Sequence, residues 1–320
     1  MSSGTIPRPP EGPPYPPQTA GLGGVPTVIP DIPIDAVFIF LYVCFAATNF
    51  TLFNYNRSKG HFFLPSALLG GFSMARILTL CLRIGWATHH HNVSLAIAAG
   101  IFVNAGILIV YIINILFAQR ILRAKQPKLG WHPLVKTFFV AVYALIGVAL
   151  ALLITLIVIS YYTLNLATLH VSEWVLRSAV LYLLIVTLLP LPLLALAFAM
   201  PRSPLEENFG TGSLKSKALL LTAGTLICVT IDGFKVGALW SPPRPADDPA
   251  WYDSKAAFYV FVFSLEILVL TLYTGFRVHR RFWVPNGSSK RRTYIEPGKS
   301  ESDGRTYSQD EENISHDQEK

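Results

Sequence analysis

Charge is what this sequence has least of. Asp, Glu, Lys and Arg make up 14% of the 320 residues, where a soluble domain carries about a quarter. Apolar residues reach 52%, a balance that excludes an ordinary water-soluble globule. Cysteine is nearly absent as well: Cys44, Cys81 and Cys228 all fall inside apolar runs, so no disulfide between outer loops is on offer. Histidine avoids those runs, and no HxxxH or HExxH occurs. This excludes haem held by paired histidines between membrane helices and leaves no basis for a buried hydrolytic zinc centre. A P-loop, a dinucleotide fingerprint and a nucleophile elbow are missing too, and the last apolar run has no deep lysine for a retinal Schiff base, only Lys255 at its mouth. The expectation is a protein without cofactor, metal or catalytic role.

What is present is apolar length. Seven runs near 20 residues, about 34–54, 63–84, 93–118, 137–160, 178–200, 216–238 and 256–277, each suffice to cross the roughly 30 Å hydrocarbon core as helix. The expected fold is all-α, an integral membrane bundle of seven transmembrane helices. Leu189-Pro190-Leu191-Pro192 predicts a kink in the fifth. Three regions follow: a proline-rich, disordered outer tail (1–33), a membrane domain (34–283) and a disordered cytoplasmic tail (284–320).

Loop charge sets the orientation. One side holds Arg57, Lys59, Arg120, Arg123, Lys125, Lys128, Lys136, Arg202, Lys215, Lys217, Arg277, Arg280, Arg281, Lys290, Arg291 and Arg292; the other holds Arg8, Arg177, Arg244 and Lys255. By the positive-inside rule the N-terminus is outside and the C-terminus cytoplasmic, with the plasma membrane as the expected location. Trp86, Trp174, Trp240 and Trp251 fall at outer helix ends, Trp131 and Trp283 near inner ones, as in an interfacial aromatic belt. Arg277, Arg280 and Arg281 are placed to meet anionic lipid heads. The net charge of +7 is thus a membrane signature, and no nucleic-acid partner is expected.

The few charges inside the runs carry the functional argument. Asp232 and Glu266 are taken as the acidic ones, Arg76, Arg83 and Lys235 as the basic ones. Each is costly facing lipid, so they should turn inward and pair. At about 1.5 Å of rise per residue, Arg76, Asn104 and Glu266 share a layer near the midplane, and Asp232 and Lys235, spaced to pair on one helix face, form a second, shallower layer. Arg76, Arg83, Asn104, Asp232, Lys235 and Glu266 therefore form either a set of packing ion pairs or the lining of a polar cavity that opens outward. Asn49 and Asn114 should bond between helices, and Ala96/Gly100 and Gly233/Gly237 follow the small-xxx-small spacing of close helix contacts.

His89, His90 and His91 lie in a short outer loop where no other element brings ligands to them. Asn92-Val93-Ser94 is an outer glycosylation sequon, close to the third helix; those at Asn56, Asn286 and Asn313 are cytoplasmic and should stay unmodified.

The segment ARILTLCLRIGWA, then IAAGIFVNAGILIVYIINILFAQRILRAKQPKLGWHP with its FAQRILRA and Gly130-Trp131-His132, resembles an uncharacterised family of seven-helix fungal membrane proteins, some labelled family-C-like G-protein-coupled receptors. The resemblance runs from the first helix to the seventh. It implies receptor-like architecture with Gln119, Arg120, Arg123, Trp131 and His132 at the cytoplasmic coupling end. Ile231 to Lys235, Asp253 to Tyr259, and Glu266 are also similar to features of the fungal lipid-translocating exporter family; RVHRRFW stands where that family has His-Pro-Gly. The leading expectation is sensing of a small or amphiphilic ligand through the outer polar cavity, with a cytoplasmic signalling partner. A transporter or lipid-translocating protein that confers resistance to toxic amphiphiles is the alternative, and a scaffold without ligand the second.

Overall fold

The computed structural model describes residues 12–16, 19–245, 248–285, 288 and 294. The start of the N-terminal segment, the basic Lys290, Arg291 and Arg292, the acidic C-terminal end and the sequon residues Asn286 and Asn313 lie outside the described residues. Seven helices are long and apolar enough to cross a membrane: Asp31–Ser58, Leu64–Thr88, Val93–Lys125, Pro133–Tyr162, Leu166–Ala199, Leu214–Trp240 and Lys255–Gly275. The protein is thus a multi-pass, all-helical membrane protein.

Several spans extend beyond their apolar runs because polar ends still form helix once the chain leaves hydrocarbon. The third continues to Lys125, which puts Gln119, Arg120 and Arg123 on helix. The fifth begins at Leu166, capped by Asn165 Oδ1, which accepts from the Ala167 and Thr168 amides. Asn92, the sequon residue, caps the third by accepting from the Leu95 amide. The fifth span breaks at Leu189, where Pro190 opens a new helix to Ala199; a proline has no N–H for the preceding turn.

The third span is the centre of the bundle. It packs on the second, fourth, fifth and sixth spans, and its half Leu108–Lys125 buries Leu108, Val110, Tyr111, Ile113, Asn114 and Ile115 in succession. A helix apolar on all sides belongs in such a position. The first span is peripheral, packed on the second and seventh; Val37, Phe40 and Val43 stay exposed, as suits a lipid-facing surface.

Close helix approach is made elsewhere than the small-residue pairs suggest. Nothing lies within 4 Å of a Cβ built on Gly100, Gly233 or Gly237. The tight contacts are at Gly224, where a Cβ would sit 2.2 Å from the Tyr273 hydroxyl, and at Gly70, 2.9 Å from the Phe50 ring. Spacing marks which glycines share a face, but only the neighbour's side chain decides which of them is needed.

At the N-terminal end, the described part of the proline-rich segment does not hang free as expected. Tyr15 donates its amide to Tyr161 O, Ala20 to Arg244 O and Gly23 to Asp253 O, so a strap crosses the mouth of the bundle. Gly23 has φ +76, and a Cβ there would lie 2.6 Å from the Phe258 ring; no other residue fits so close to that ring in that conformation. At the opposite, basic end the chain reverses after the seventh span through Arg277 (φ 52) into the short helix Val278–Arg281.

Candidate functional site

The second span turns Leu69, Phe72, Ser73, Arg76, Thr79, Leu80 and Arg83 inward, the three-to-four-residue rhythm of one helix face. Arg76 reaches Glu266 of the seventh span: Nε donates to Oε2 at 2.7 Å and Nη2 to Oε1 at 2.5 Å. Both side chains are 0% exposed. The remaining Nη1 donates to Phe102 O at 2.9 Å and Val103 O at 3.1 Å, and Tyr42 of the first span donates to Glu266 Oε2 at 3.0 Å. This is a two-pronged guanidinium–carboxylate pair, the strongest geometry for such groups.

The backbone around the pair is irregular on two sides. The third span is interrupted between Ala105 and Leu108, and the carbonyls before the break are those that receive Arg76. A Cβ on Gly106 would lie 3.2 Å from the Arg76 guanidinium, so the glycine leaves room for it. Lys235 Nζ also approaches Val103 O, at 3.4 Å. Two cations thus meet the carbonyl end of a half-helix, the end that carries partial negative charge. In the seventh span the turn Tyr259–Ser264 is a π-helix ending just before Glu266, a widening that recurs at functional sites.

Asp232 and Lys235 do not pair as expected. Asp232 Oδ2 accepts from Thr187 Oγ1 of the fifth span at 2.9 Å, while Lys235 points to the third. The kinked fifth span brings a hydroxyl to Asp232, and Lys235 shares with Arg76 the Val103 carbonyl before the break in the third; both are met in place of the neighbour three residues away. Asn104 bonds within its own helix, to Gly100 O at 3.0 Å. Asn114 and Asn49 bond between spans as expected: Tyr273 donates to Asn114 Oδ1, and Asn49 donates to Thr274 Oγ1 at 3.3 Å.

Arg83 belongs to a separate cluster beneath the strap. The first span starts at Asp31, so Asp31 and Asp35 are helical, and both are 0% exposed; the acidic residues within the spans are therefore not Asp232 and Glu266 alone. Asp31 pairs with Lys255 and accepts from the Thr27 amide at 2.6 Å. The Tyr259 hydroxyl lies 2.7 Å from Asp35 Oδ1 and 3.0 Å from Asp31 Oδ1, so its one proton serves one acid at a time. Asp35 Oδ2 and Arg83 Nε and Nη2 are buried with no hydrogen-bond partner. Arg83 is 3% exposed, and its guanidinium lies 4.4 Å from the centre of the Phe258 ring. Arg83 on the Phe258 ring and Asp35 on the Tyr259 hydroxyl are thus buried against adjoining aromatic rings without forming an ion pair with each other.

The expected coupling residues are occupied at the basic end. Arg120 donates to Phe282 O, Arg123 lies 4.3 Å from the Trp131 ring centre and donates to Gly130 O at 3.3 Å, and Gln119 is buried. His132 accepts from the Leu134 amide at the start of the fourth span. Phe282 is 0% exposed and stacks on Phe117 at 4.1 Å. Tyr294 packs on Trp131 and Phe209, and its amide donates to Glu207 Oε2 at 2.9 Å. Burial raises the Tyr294 pKa above the ordinary tyrosine value. Burial lowers that of His279, with Arg280 and Arg277 adding to the effect. The chain after the seventh span is therefore docked against Arg120, Arg123 and Trp131.

The histidine triplet is exposed between the second and third spans. His89 bonds locally, its amide donating to Gly85 O. Among the described residues no three His, Cys, Asp or Glu side chains converge on a metal-sized site.

The chain matches no family model, no curated protein and no solved structure.

Sequence reasoning missed Asp31, Asp35, Tyr42 and Thr187, and reached Tyr259 only as the end of the Asp253 to Tyr259 stretch. An aspartate at the mouth of an apolar run gives a signal, but it reads as a helix start. Tyrosine and threonine inside such runs give none.

Proposed function

We propose that this chain is a receptor-like protein of the plasma membrane, N-terminus outside, that takes a small polar or amphiphilic ligand under the strap. The observation that carries the reading is the buried, unpaired Asp35–Arg83 couple, since a scaffold has no use for opposite charges left apart. Buried polar groups almost always have partners, and a ligand offering both a donor and an acceptor supplies them here. The strap is held by a few main-chain hydrogen bonds and can lift to admit it.

The same elements provide a route inward. A ligand on Asp35 competes for the Tyr259 hydroxyl at the first residue of the widened turn; Glu266 follows that turn, and Arg76 links it to the break in the third span. That span ends at Arg120 and Arg123 on the basic, cytoplasmic side, where a signalling protein would meet the docked C-terminal segment. No catalytic step is part of the proposal. A second reading, transport or lipid translocation, is favoured by the broken third span beside a buried ion pair, since transporters place substrate sites at discontinuous helices.

Thermal unfolding in nanodiscs against zwitterionic, cationic and anionic amphiphiles tests the first reading. A ligand at 100 times its Kd should stabilise the wild type by roughly 2.7 kcal/mol, and Asp35→Asn and Arg83→Gln should each abolish the shift. A shift retained in both variants rejects the site. Flux of a labelled lipid across reconstituted vesicles, lost in Glu266→Gln, would decide for the second reading.

A further inference from the structure

The reversal after the seventh span creates a pocket of about 440 Å³ lined by Thr211, Gly275, Phe276, Arg277, Arg280 and Arg281. Three of its six lining residues are arginines and none is acidic. Arg281 is already positioned, its Nε donating to Phe276 O and its Nη1 to Ser216 Oγ, both at 2.9 Å. Arg277 and Arg280 are exposed, and neither takes part in the ion pairs among the described residues. The end of the seventh span also faces the pocket, but a helix C-terminus contributes only about half a negative charge. The net field is strongly positive.

We propose that this pocket binds a phosphate-bearing anion. Guanidinium groups meet phosphate oxygens in two-pronged pairs, and three arginines among six lining residues exceed what a single carboxylate needs. Position favours a lipid headgroup as the source. The pocket opens where a membrane-spanning helix ends, and Phe276, 52% exposed, stands beside it as an apolar ring at interfacial depth. The pocket also depends on the docked segment: the Thr211 amide donates to Arg280 O at 3.0 Å, and a Cβ on Gly210 would meet Arg281 O at 2.4 Å. Occupation therefore stabilises the docking of Val278–Arg281 against the 210–212 loop. This inference stands independently of the ligand site under the strap.

The test compares nanodiscs of phosphatidylcholine alone, with phosphatidylserine, and with phosphatidylinositol bisphosphate at matched surface charge, and titrates soluble inositol trisphosphate into the first. The bisphosphate lipid should bind at least about tenfold tighter than phosphatidylserine. Arg277→Gln/Arg280→Gln should weaken it by roughly thirtyfold with an unchanged melting temperature in phosphatidylcholine. Soluble inositol trisphosphate binding as tightly as the lipid would assign the pocket to a free anion; weaker binding assigns it to the membrane. Equal affinity for phosphatidylserine, or a double variant that binds like the wild type, overturns the proposal. Should the double variant melt early, Thr211→Trp fills the pocket from an exposed loop position and carries the same expectation.

Discussion

Arg76 and Glu266 make each other tolerable where neither could sit alone. With Tyr42 and the two carbonyls of the third span they form a closed set, so removing one member leaves an uncompensated charge. Arg76→Leu or Glu266→Leu should each lower stability by about 3–5 kcal/mol, and the double replacement should recover most of it. Unfolding of the four proteins in one detergent gives the coupling energy; additive losses would contradict a direct pair. This pair was readable in advance because charges are so scarce in the apolar runs that each partner is nearly forced. Asp35 was not, since at the second residue of its apolar run it reads as part of a helix start, and only the packing of the strap and Tyr259 over it buries it. At the basic end, His279 offers a pH test. Its pKa in the folded protein lies below the ordinary 6.5, so the unfolded chain takes up the proton first as pH falls. Stability is then fully present above about pH 6.5 and declines below it; His279→Gln should flatten that decline in melting temperature.

Elements in this bundle are joined by contacts that apolar periodicity does not encode. In lipid, helices gain little from hiding apolar surface from one another and depend on close approach and hydrogen bonds. Gly224 against Tyr273 is one such contact. Gly224→Ala should destabilise by about 1–3 kcal/mol through overpacking, and Tyr273→Phe in that background should not rescue it, because ring carbons Cζ and Cε1 would still lie 2.6 and 2.7 Å from the new Cβ and Asn114 would lose its donor. If the alanine variant melts like the wild type, the sixth and seventh spans are not in contact there. The break at Gly106 and the widened turn at Tyr259–Ser264 have no local signature, because a lone glycine is tolerated inside a helix and YVFVFS reads as ordinary apolar helix. Both are accommodated by side chains from other spans.

For the whole molecule, the structure supplies two unlike ends, one strapped by the N-terminal segment and one lined with basic residues. The charge asymmetry predicts that the strapped end faces outward. In a Cys44→Ser/Cys81→Ser background, which leaves only the buried Cys228, His90→Cys should react with a membrane-impermeant maleimide on intact cells. Ser288→Cys should react only after permeabilisation. The reverse labelling would invert the topology and with it the assignment of the two sites.

The sequence by itself determined the number of spans, their order, the predicted orientation and the pairing of Arg76 with Glu266. Each follows from one physical fact: hydrocarbon rejects charge and unsatisfied backbone, so apolar length and rare charges are sufficient clues. Tertiary structure alone decided that Lys235 turns to a broken helix rather than to Asp232, that Arg83 and Asp35 are buried without pairing, and that the segment after the seventh span closes the basic end around an arginine-lined pocket. Those outcomes rest on which neighbour lies within hydrogen-bond reach, and residues 45 or 132 positions apart become neighbours only once the bundle has packed.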